Sequence, residues 1–193
     1  MIVKNALVLE EKANRTRPLL ILDLDETLMH AREEGFERAE DFQIGPYLVY
    51  KRPYFEAFLQ RVQQSFSLAV WTSSGADYAR EAVQNLFLED IQLEFVWTSE
   101  RCTSRLNLET FEQYWIKDLR KVKRRGYSLE RVLMLDDSPE KLEWHYGNWL
   151  PIPAFEGNSS DTALLDVLPF LEYLATLENV RKVEKRFWRS SLP

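Results

Sequence analysis

Short runs of branched and aromatic apolar residues alternate along the chain with longer stretches in which apolar residues recur every three or four positions. The short runs predict buried strands, and the longer stretches predict amphipathic helices. An alternation of strands and helices predicts a mostly parallel sheet with helices on both faces. The predicted strands are 19–22, 68–71, 93–97, 131–135 and 149–152, and the predicted helices are 54–64, 76–87, 108–122 and 161–177.

The pattern is looser between the first strand and the first helix. Residues 31–35 are mostly charged and predict a turn. Two short apolar segments, 42–44 and 47–50, are separated by a Gly-Pro pair and predict a small β-hairpin. We therefore expect a small β-insert over about residues 31–51.

The length of the chain and the placement of these elements bound its domain organisation. A chain of 193 residues is most simply one domain, spanning 1–193, that buries a core of its own. The predicted core elements lie between about residues 18 and 183, and residues 1–18 predict an irregular or edge segment. Pro169 predicts a kink or break within the last helix. The expected protein is a single-domain monomer.

Composition excludes several classes of protein. A hydrophobic content of 45% with 13% aromatic residues is typical of a globular fold and not of a disordered chain. The net charge of −6 gives no general reason to expect a nucleic-acid partner. No stretch approaches the roughly 20 apolar residues of a membrane span. The single cysteine, Cys102, predicts a core position and an intracellular, cytoplasmic protein, or a nuclear one in a eukaryote.

Two carboxylates, Asp23 and Asp25, follow the first predicted strand. Chain direction places both near the carboxyl edge of the sheet, where open α/β sheets bind their ligands. A buried carboxylate without a partner is too costly to keep charged, so a cation or a proton is expected beside this pair.

Two further strands also end in polar side chains, and together they predict a phosphate site. Thr72 and Ser73 follow the second strand, and Asp136 and Asp137 follow the fourth. Lys117 precedes the fourth strand. Alone, Thr72 is readily explained as a helix cap and Lys117 as a solvated surface residue. In combination, the acids can hold magnesium, the hydroxyl and the ammonium can bind phosphoryl oxygens, and one carboxylate is left as a nucleophile.

These residues stand in a recognisable order. The chain resembles the haloacid-dehalogenase (HAD) superfamily, and within it the RNA polymerase II carboxy-terminal-domain phosphatases, also called the NLI-interacting-factor-like domain. This resemblance runs from about residue 18 to residue 183 and implies a Rossmann-like sheet with a small β-insert after the first strand and no large cap domain. The segments that carry it are Asp23-Leu24-Asp25-Glu26-Thr27-Leu28, Lys51-Arg52-Pro53, Trp71-Thr72, Lys117-Asp118-Leu119, Leu135-Asp136-Asp137-Ser138-Pro139, Ser160-Asp161-Thr162 and Leu168-Pro169-Phe170-Leu171.

The resemblance implies catalytic and metal-binding roles for the acids. Asp23 would attack phosphorus and become an aspartyl-phosphate. Asp25 would act as general acid and then as general base. Mg²⁺ would be held by the Asp23 carboxylate, the Asp25 carbonyl and Asp137, while Asp136 would complete the acidic set by orienting Lys117 or a metal-bound water.

The resemblance also implies the residues that bind substrate. Thr72 and Lys117 would bind the phosphoryl oxygens, with Ser73 beside them. Thr27 would stabilise the turn of the first motif and lean on Asp25, and it counts among the expected substrate-binding residues.

Some segments depart from the family pattern. The region between residues 30 and 51 is shorter than the β-insert of the eukaryotic phosphatases, and the stretch 102–114 is longer than in those relatives. The family pattern has an arginine just before the position of Glu100, and this chain has Ser99 there. Arg101 or Arg105 is the candidate replacement, and Arg101 is included among the expected substrate-binding residues. The active site should carry over, whereas the peptide specificity need not.

The expected function is that of a magnesium-dependent phosphomonoesterase acting on phosphoserine or phosphothreonine in a protein or peptide. One alternative is a small-molecule phosphatase of the same superfamily, although the lack of a large cap insertion favours a macromolecular substrate. Another is a non-catalytic phospho-acceptor or phosphopeptide-binding module. A response-regulator receiver uses a similar residue set in another order. Its adjacent acid pair follows the first strand, whereas the pair Asp136 and Asp137 follows the fourth strand here.

Overall fold

The computed structural model describes residues 17–87 and 91–190, so the predicted N-terminal segment lies almost wholly outside the described residues. The described strands are β1 (Leu19–Leu22), β2 (Met29–Arg32), β3 (Phe42–Ile44), β4 (Tyr47–Lys51), β5 (Ser67–Trp71), β6 (Leu93–Trp97), β7 (Thr103–Leu106), β8 (Gln113–Ile116), β9 (Val132–Asp136) and β10 (Trp149–Pro151). The described α-helices are α1 (Phe55–Ser65), α2 (Ala76–Leu86), α3 (Arg120–Arg124) and α4 (Ala163–Thr176).

The central sheet has five strands in the order β10-β9-β1-β5-β6, and every neighbouring pair is parallel. In the middle strand, Leu20 pairs with Leu68 on one side and with Leu133 on the other. The predicted mostly parallel sheet is therefore confirmed. Because β1 lies between β5 and β9, the carboxyl ends of these three strands are direct neighbours.

Successive residues of β1 enter different apolar layers, which explains why the strand is apolar throughout. Leu20 and Leu22 belong to the layer that contains α1 and α4. Leu19 and Ile21 belong to the opposite layer, together with residues at and beside α3. The expectation of helices on both faces of the sheet is confirmed.

A small antiparallel sheet, ordered β2-β4-β3, stands between β1 and α1. The predicted hairpin corresponds to β3 and β4. The predicted charged turn over 31–35 is partly wrong, because Met29–Arg32 forms β2 and pairs with β4. The sequence concealed this strand because β2 lies at the sheet edge, where three of its four residues are only partly buried.

The helix predicted over 108–122 is wrong. This region forms the hairpin of β7 and β8, followed by the short helix α3. The side chain of Asn107 accepts hydrogen bonds from the backbone N–H groups of Glu109 and Thr110 and so turns the chain. Leu108 and Phe111 are each 77% exposed. Their helical spacing therefore does not reflect a buried helix face.

Of the kink or break predicted at Pro169, the break does not occur, since α4 continues from Ala163 to Thr176, and a kink stays a prediction. Pro169 cannot donate to the carbonyl of Leu165, four residues earlier. Both residues are exposed, so water can reach that carbonyl. No helix in the described part of the chain has the length and apolar character needed to cross a membrane.

Candidate active site

The polar groups predicted to converge do so at the carboxyl edge of the sheet. Asp23 follows β1, Thr72 follows β5, and Asp136 is the last residue of β9. Asp23, Thr72 and Asp136 are all buried, and Asp137 is partly buried. Neighbouring strand ends thus bring together residues that lie more than one hundred positions apart in the chain.

Lys117 is the buried counterion of this cluster. Its Nζ donates to Asp23 Oδ1 at 2.7 Å and to Asp136 Oδ2 at 2.6 Å. The lysine follows β8, and its backbone N–H donates to the carbonyl of Lys141 at 2.8 Å. A buried ammonium needs this degree of pairing. Lys117 thus contacts Asp23 and Asp136, and its binding of a phosphoryl oxygen stays a prediction.

A second lysine, Lys141, also reaches the cluster and was missed from the sequence. Its Nζ lies 3.3 Å from Asp23 Oδ2 and 3.9 Å from Asp136 Oδ1. Lys141 belongs to a 3₁₀ segment, Pro139–Asn148, that begins with a proline two residues after the acid pair. A proline favours the first position of a helical turn. It was the one signal in the sequence that the chain turns here and brings a nearby residue close to the acids.

The charges in the cluster perturb one another. Burial alone would raise the pKa of Asp23, but Lys117 and Lys141 outweigh it and hold that pKa below its usual value. Burial and the charge of Asp23 raise the pKa of Asp136 to about 6. Burial alone would lower the pKa of Lys141, but the surrounding carboxylates outweigh burial and raise that pKa above its usual value. Asp23 and Lys141 are therefore a charged pair at neutral pH.

Asp25 is held by hydroxyl groups from the segment that follows β5. Ser74 Oγ donates to Asp25 Oδ2 at 2.7 Å, and Tyr78 Oη donates to Asp25 Oδ1 at 2.6 Å. Thr72 Oγ1 is 3.5 Å from the same carboxylate. Sequence reasoning selected Ser73, which stays a predicted substrate contact, but missed Ser74 and Tyr78. Tyr78 lies in the first turn of α2, directly after the strand-end loop, and this position was the available signal.

Burial and the Asp25 charge raise the pKa of Tyr78 above its usual value. The phenol therefore stays protonated and remains a donor to Asp25 at physiological pH. One oxygen of Asp25 is held by Tyr78 and the other by Ser74, so the carboxyl group has a defined orientation at the edge of the site.

The turn after Asp25 is strained, and Thr27 braces it in a way that differs from the expectation. Glu26 has a φ of 59°, a left-handed conformation that is uncommon for a residue with a side chain. Thr27 is fully buried and its hydroxyl lies 3.4 Å from Asp137 Oδ1, while the Asp137 backbone N–H donates to it at 3.3 Å. Thr27 therefore positions Asp137, and the expected contact with Asp25 is not the one observed.

The side chain of Arg52 also stabilises this turn. Its guanidinium is buried and donates to the Thr27 carbonyl at 3.0 Å and to the Pro153 carbonyl at 2.8 Å. It also donates twice to the Asp161 carboxylate, at 2.8 and 2.9 Å. One side chain thereby joins the first motif, the segment after β10 and the start of α4.

The acids fit a divalent cation. One carboxylate oxygen from each of Asp23, Asp136 and Asp137 lies within 4.8 Å of the others. Carboxylate oxygens are the ligands that Mg²⁺ prefers, and such sites use one or two carboxylates with substrate phosphate completing the shell. The expected acidic metal site is therefore geometrically available, and the Asp25 carbonyl stays a predicted ligand.

The two candidate arginines point to aromatic rings. The Arg101 guanidinium lies over the Trp97 ring at 5.5 Å, and the Arg105 guanidinium lies over the Trp144 ring at 5.5 Å. Both arginines are exposed. A phosphate contact by Arg101 or Arg105 stays a prediction.

Comparison with known proteins finds a phosphatase family and relatives that are named phosphatases. A family described as NLI interacting factor-like phosphatase matches residues 18–181. CTD small phosphatase-like protein 2 of Dictyostelium discoideum is 31% identical over 169 residues, covering 84% of this chain and 28% of the relative. Carboxy-terminal domain RNA polymerase II polypeptide A small phosphatase 1 of Homo sapiens is 33% identical over 174 residues, covering 85% of this chain and 62% of the relative. The chain thus spans less than two thirds of each relative.

The fold has solved counterparts. The structure of Fcp1, an essential RNA polymerase II CTD phosphatase, matches with a TM-score of 0.58 at 18% identity, covering 92% of this chain and 55% of that one. This likeness concerns the fold alone. The family match, by contrast, includes the whole acid cluster and both lysines. The chain belongs to the NLI interacting factor-like phosphatase family.

Proposed function

We propose that this protein is a magnesium-dependent phosphomonoesterase that transfers a phosphoryl group to Asp23 and then to water. The observation that carries the proposal is the setting of Asp23. Its buried carboxylate has one oxygen on Lys117 and the other facing Lys141. Beside it, Asp25 is oriented by two hydroxyl donors. This arrangement supplies a nucleophile, positive charge and an acid–base group within one pocket.

In the first step, a carboxylate oxygen of Asp23 attacks phosphorus, and the bond between phosphorus and the ester oxygen breaks. The leaving alkoxide takes a proton from the Asp25 carboxyl group. The products of this step are the free alcohol, an aspartyl-phosphate at Asp23 and the Asp25 carboxylate.

In the second step, the Asp25 carboxylate removes a proton from a water molecule as that water attacks phosphorus. The bond between phosphorus and the Asp23 oxygen breaks, which releases inorganic phosphate and regenerates the Asp23 carboxylate. Asp25 is again protonated and ready for the next substrate.

Positive charge is needed throughout because the phosphoryl oxygens carry developing negative charge. Lys117 and Lys141 supply two ammonium groups, and Thr72 supplies a hydroxyl. Mg²⁺ held by Asp23, Asp137 and the Asp25 carbonyl, next to Asp136, would neutralise further charge on the phosphoryl group. Thr27 contributes by fixing Asp137 in its place.

The proposed substrate is phosphoserine or phosphothreonine in a protein. The human relative is named a carboxy-terminal domain RNA polymerase II polypeptide A small phosphatase, which supports a polypeptide substrate. Between β1 and α1 the described chain inserts only the small β2-β4-β3 sheet and no large cap. An uncapped site suits a bulky substrate better than a small molecule that must be enclosed.

The test is the initial rate of phosphate release from p-nitrophenyl phosphate with Mg²⁺, with EDTA, and with Asp23→Asn. Activity should require both the metal and Asp23, and phosphopeptides should be cleaved with a higher kcat/KM than small sugar phosphates. A metal-independent rate, or an Asp23→Asn variant that retains the rate, would contradict the mechanism. A preference for sugar phosphates would overturn the proposed substrate class.

A further inference from the structure

A groove of about 350 Å³ opens beside the acid cluster, and Asp137 is one of the residues that line it. Its walls include the apolar side chains of Trp149, Ile152 and Trp188. Arg186 and Arg189 also line it. The groove therefore combines an apolar surface, two guanidinium groups and an acid of the proposed metal site.

Strand pairing explains why the groove adjoins the active site. β10 is parallel to β9, and Pro151 pairs with Asp136. The carboxyl end of β10 therefore lies next to the acid cluster at the same edge of the sheet. The Trp149 indole also donates to the Asp136 carbonyl at 2.8 Å, which fixes this wall to the catalytic strand.

The segment that carries the two arginines is anchored to the same strand. Trp188 is only 3% exposed, and its indole N–H donates to the Pro151 carbonyl at 2.7 Å. Lys185 is buried, and its ammonium donates to the carbonyls of Val180 and Val183 at 2.8 and 2.7 Å. Arg186 and Arg189 are thus presented by a fixed segment.

Both arginines are available to a ligand. The Arg186 and Arg189 side chains are 55% and 54% exposed. Arg186 donates two hydrogen bonds to Glu184, at 3.1 and 2.8 Å, and Arg189 lies 3.6 Å from Asp166. Both pairs are exposed to water, which weakens them, so a substrate carboxylate that binds both guanidinium groups can compete with Glu184 and Asp166 for them.

We propose that this groove binds the part of a protein substrate that flanks the phosphorylated residue, and that it selects a segment carrying an acidic side chain. The inference rests on the proposed phosphatase function and names the substrate class of the same site. Trp149, Pro151 and Pro153 line the groove and are exposed at least in part, so they provide the surface for an apolar side chain. Arg186 with Arg189 provides the complement of a carboxylate. Both arginines lie beyond the match to the family, which ends at residue 181, so the match to the family does not account for them.

The experiment compares phosphoserine peptides that differ only by Glu or Gln at one position, with each flanking position tested in turn. We expect the wild-type protein to favour at least one Glu peptide by about tenfold in kcat/KM, a difference equivalent to about 1.4 kcal/mol. Arg186→Gln/Arg189→Gln should remove this preference after each protein is normalised to its own rate on p-nitrophenyl phosphate. Arg61→Gln is the matched control, because Arg61 is an exposed arginine paired with Glu172 and does not line the groove.

Two results would overturn the proposal: a wild-type protein that treats every Glu and Gln pair alike, or a double variant that keeps the preference. Fluorescence anisotropy of the same labelled peptides on Asp23→Asn protein measures the preference without turnover. If no phosphate ester is cleaved but the anisotropy preference depends on Arg186 and Arg189, the proposed function fails while the groove stands. If the ester is cleaved and the preference is absent, the groove fails alone.

Discussion

The ammonium of Lys141 faces Oδ2 of Asp23 at 3.3 Å, while Lys117 donates to Oδ1 of the same carboxylate. Asp23 is therefore held between two cations that reach it from different segments of the chain. Those segments are also joined, because the Lys117 backbone N–H donates to the Lys141 carbonyl. A change at either lysine is expected to disturb the orientation of the nucleophile and the charge around it.

Lys141→Met should lower kcat for p-nitrophenyl phosphate by about 100-fold, because one preorganised cation facing the phosphoryl group is lost. Lys123→Met is the control, since Lys123 is an exposed lysine of α3. Steady-state kinetics at saturating Mg²⁺ measure both. A Lys141→Met rate within twofold of the wild-type rate would show that Lys141 is not part of the catalytic site.

Tyr78→Phe should slow the cleavage of a substrate more strongly when its leaving group needs protonation by Asp25. The variant removes the 2.6 Å hydrogen bond that orients Asp25. Phosphoserine releases a poor alkoxide leaving group, whereas p-nitrophenolate leaves without protonation. We expect kcat/KM for a phosphoserine peptide to fall about 10- to 100-fold, which is at or below the usual contribution of general acid catalysis because Asp25 itself is kept, and that for p-nitrophenyl phosphate to fall less. Equal losses on both substrates would contradict this role.

Arg52→Ala should destabilise the fold by about 3–5 kcal/mol, because it leaves Asp161 and two carbonyls without their buried partner. Urea denaturation followed by circular dichroism gives the free energy of unfolding. Arg61→Ala removes an exposed pair and should cost at most about 1 kcal/mol. Similar losses in the two variants would show that the Arg52 contacts around the first motif add no stability.

Asp118 should make stability depend on pH. Burial would raise its pKa, but hydrogen bonds from Arg120 and His145 outweigh burial and hold the pKa of Asp118 well below its usual value. The unfolded chain then binds this proton more tightly than the folded one, so the stabilisation is complete above the usual Asp pKa of about 4 and is lost as the pH falls further.

Asp118→Asn should accordingly be less stable than the wild-type protein by about 1–3 kcal/mol at pH 7, the usual contribution of hydrogen bonds to a charged group. The difference should shrink as the pH falls below about 4, because Asp118 of the unfolded wild-type chain is then progressively protonated while the folded protein still holds it as a carboxylate. Urea unfolding at pH 7 and in steps down to pH 3 measures it. A difference that stays constant with pH would contradict the assigned pKa direction.

The convergence of Asp23, Thr72 and Asp136 could be predicted because chain direction alone places strand ends at one edge of a parallel sheet. The contact of Lys141 with the acids could not be predicted in the same way. It depends on the course of the 3₁₀ segment that begins at Pro139, and the spacing of apolar residues does not indicate that course. The hairpin of β7 and β8 was missed for another reason. Leu108 and Phe111 have helical spacing, but they stand at an exposed hairpin tip where nothing buries them.

The transfer of a phosphoryl group to Asp23 is tested most directly by acid quenching followed by mass spectrometry of the intact and digested protein. Asp25→Asn protein mixed with p-nitrophenyl phosphate and Mg²⁺ should accumulate one phosphoryl group, because this leaving group needs no acid but the second step needs the base. Peptide mapping should place that group on Asp23, and Asp23→Asn should remain unmodified. Turnover by the wild-type protein with no phosphoryl group on Asp23 in either protein, or with one on another residue, would contradict the mechanism.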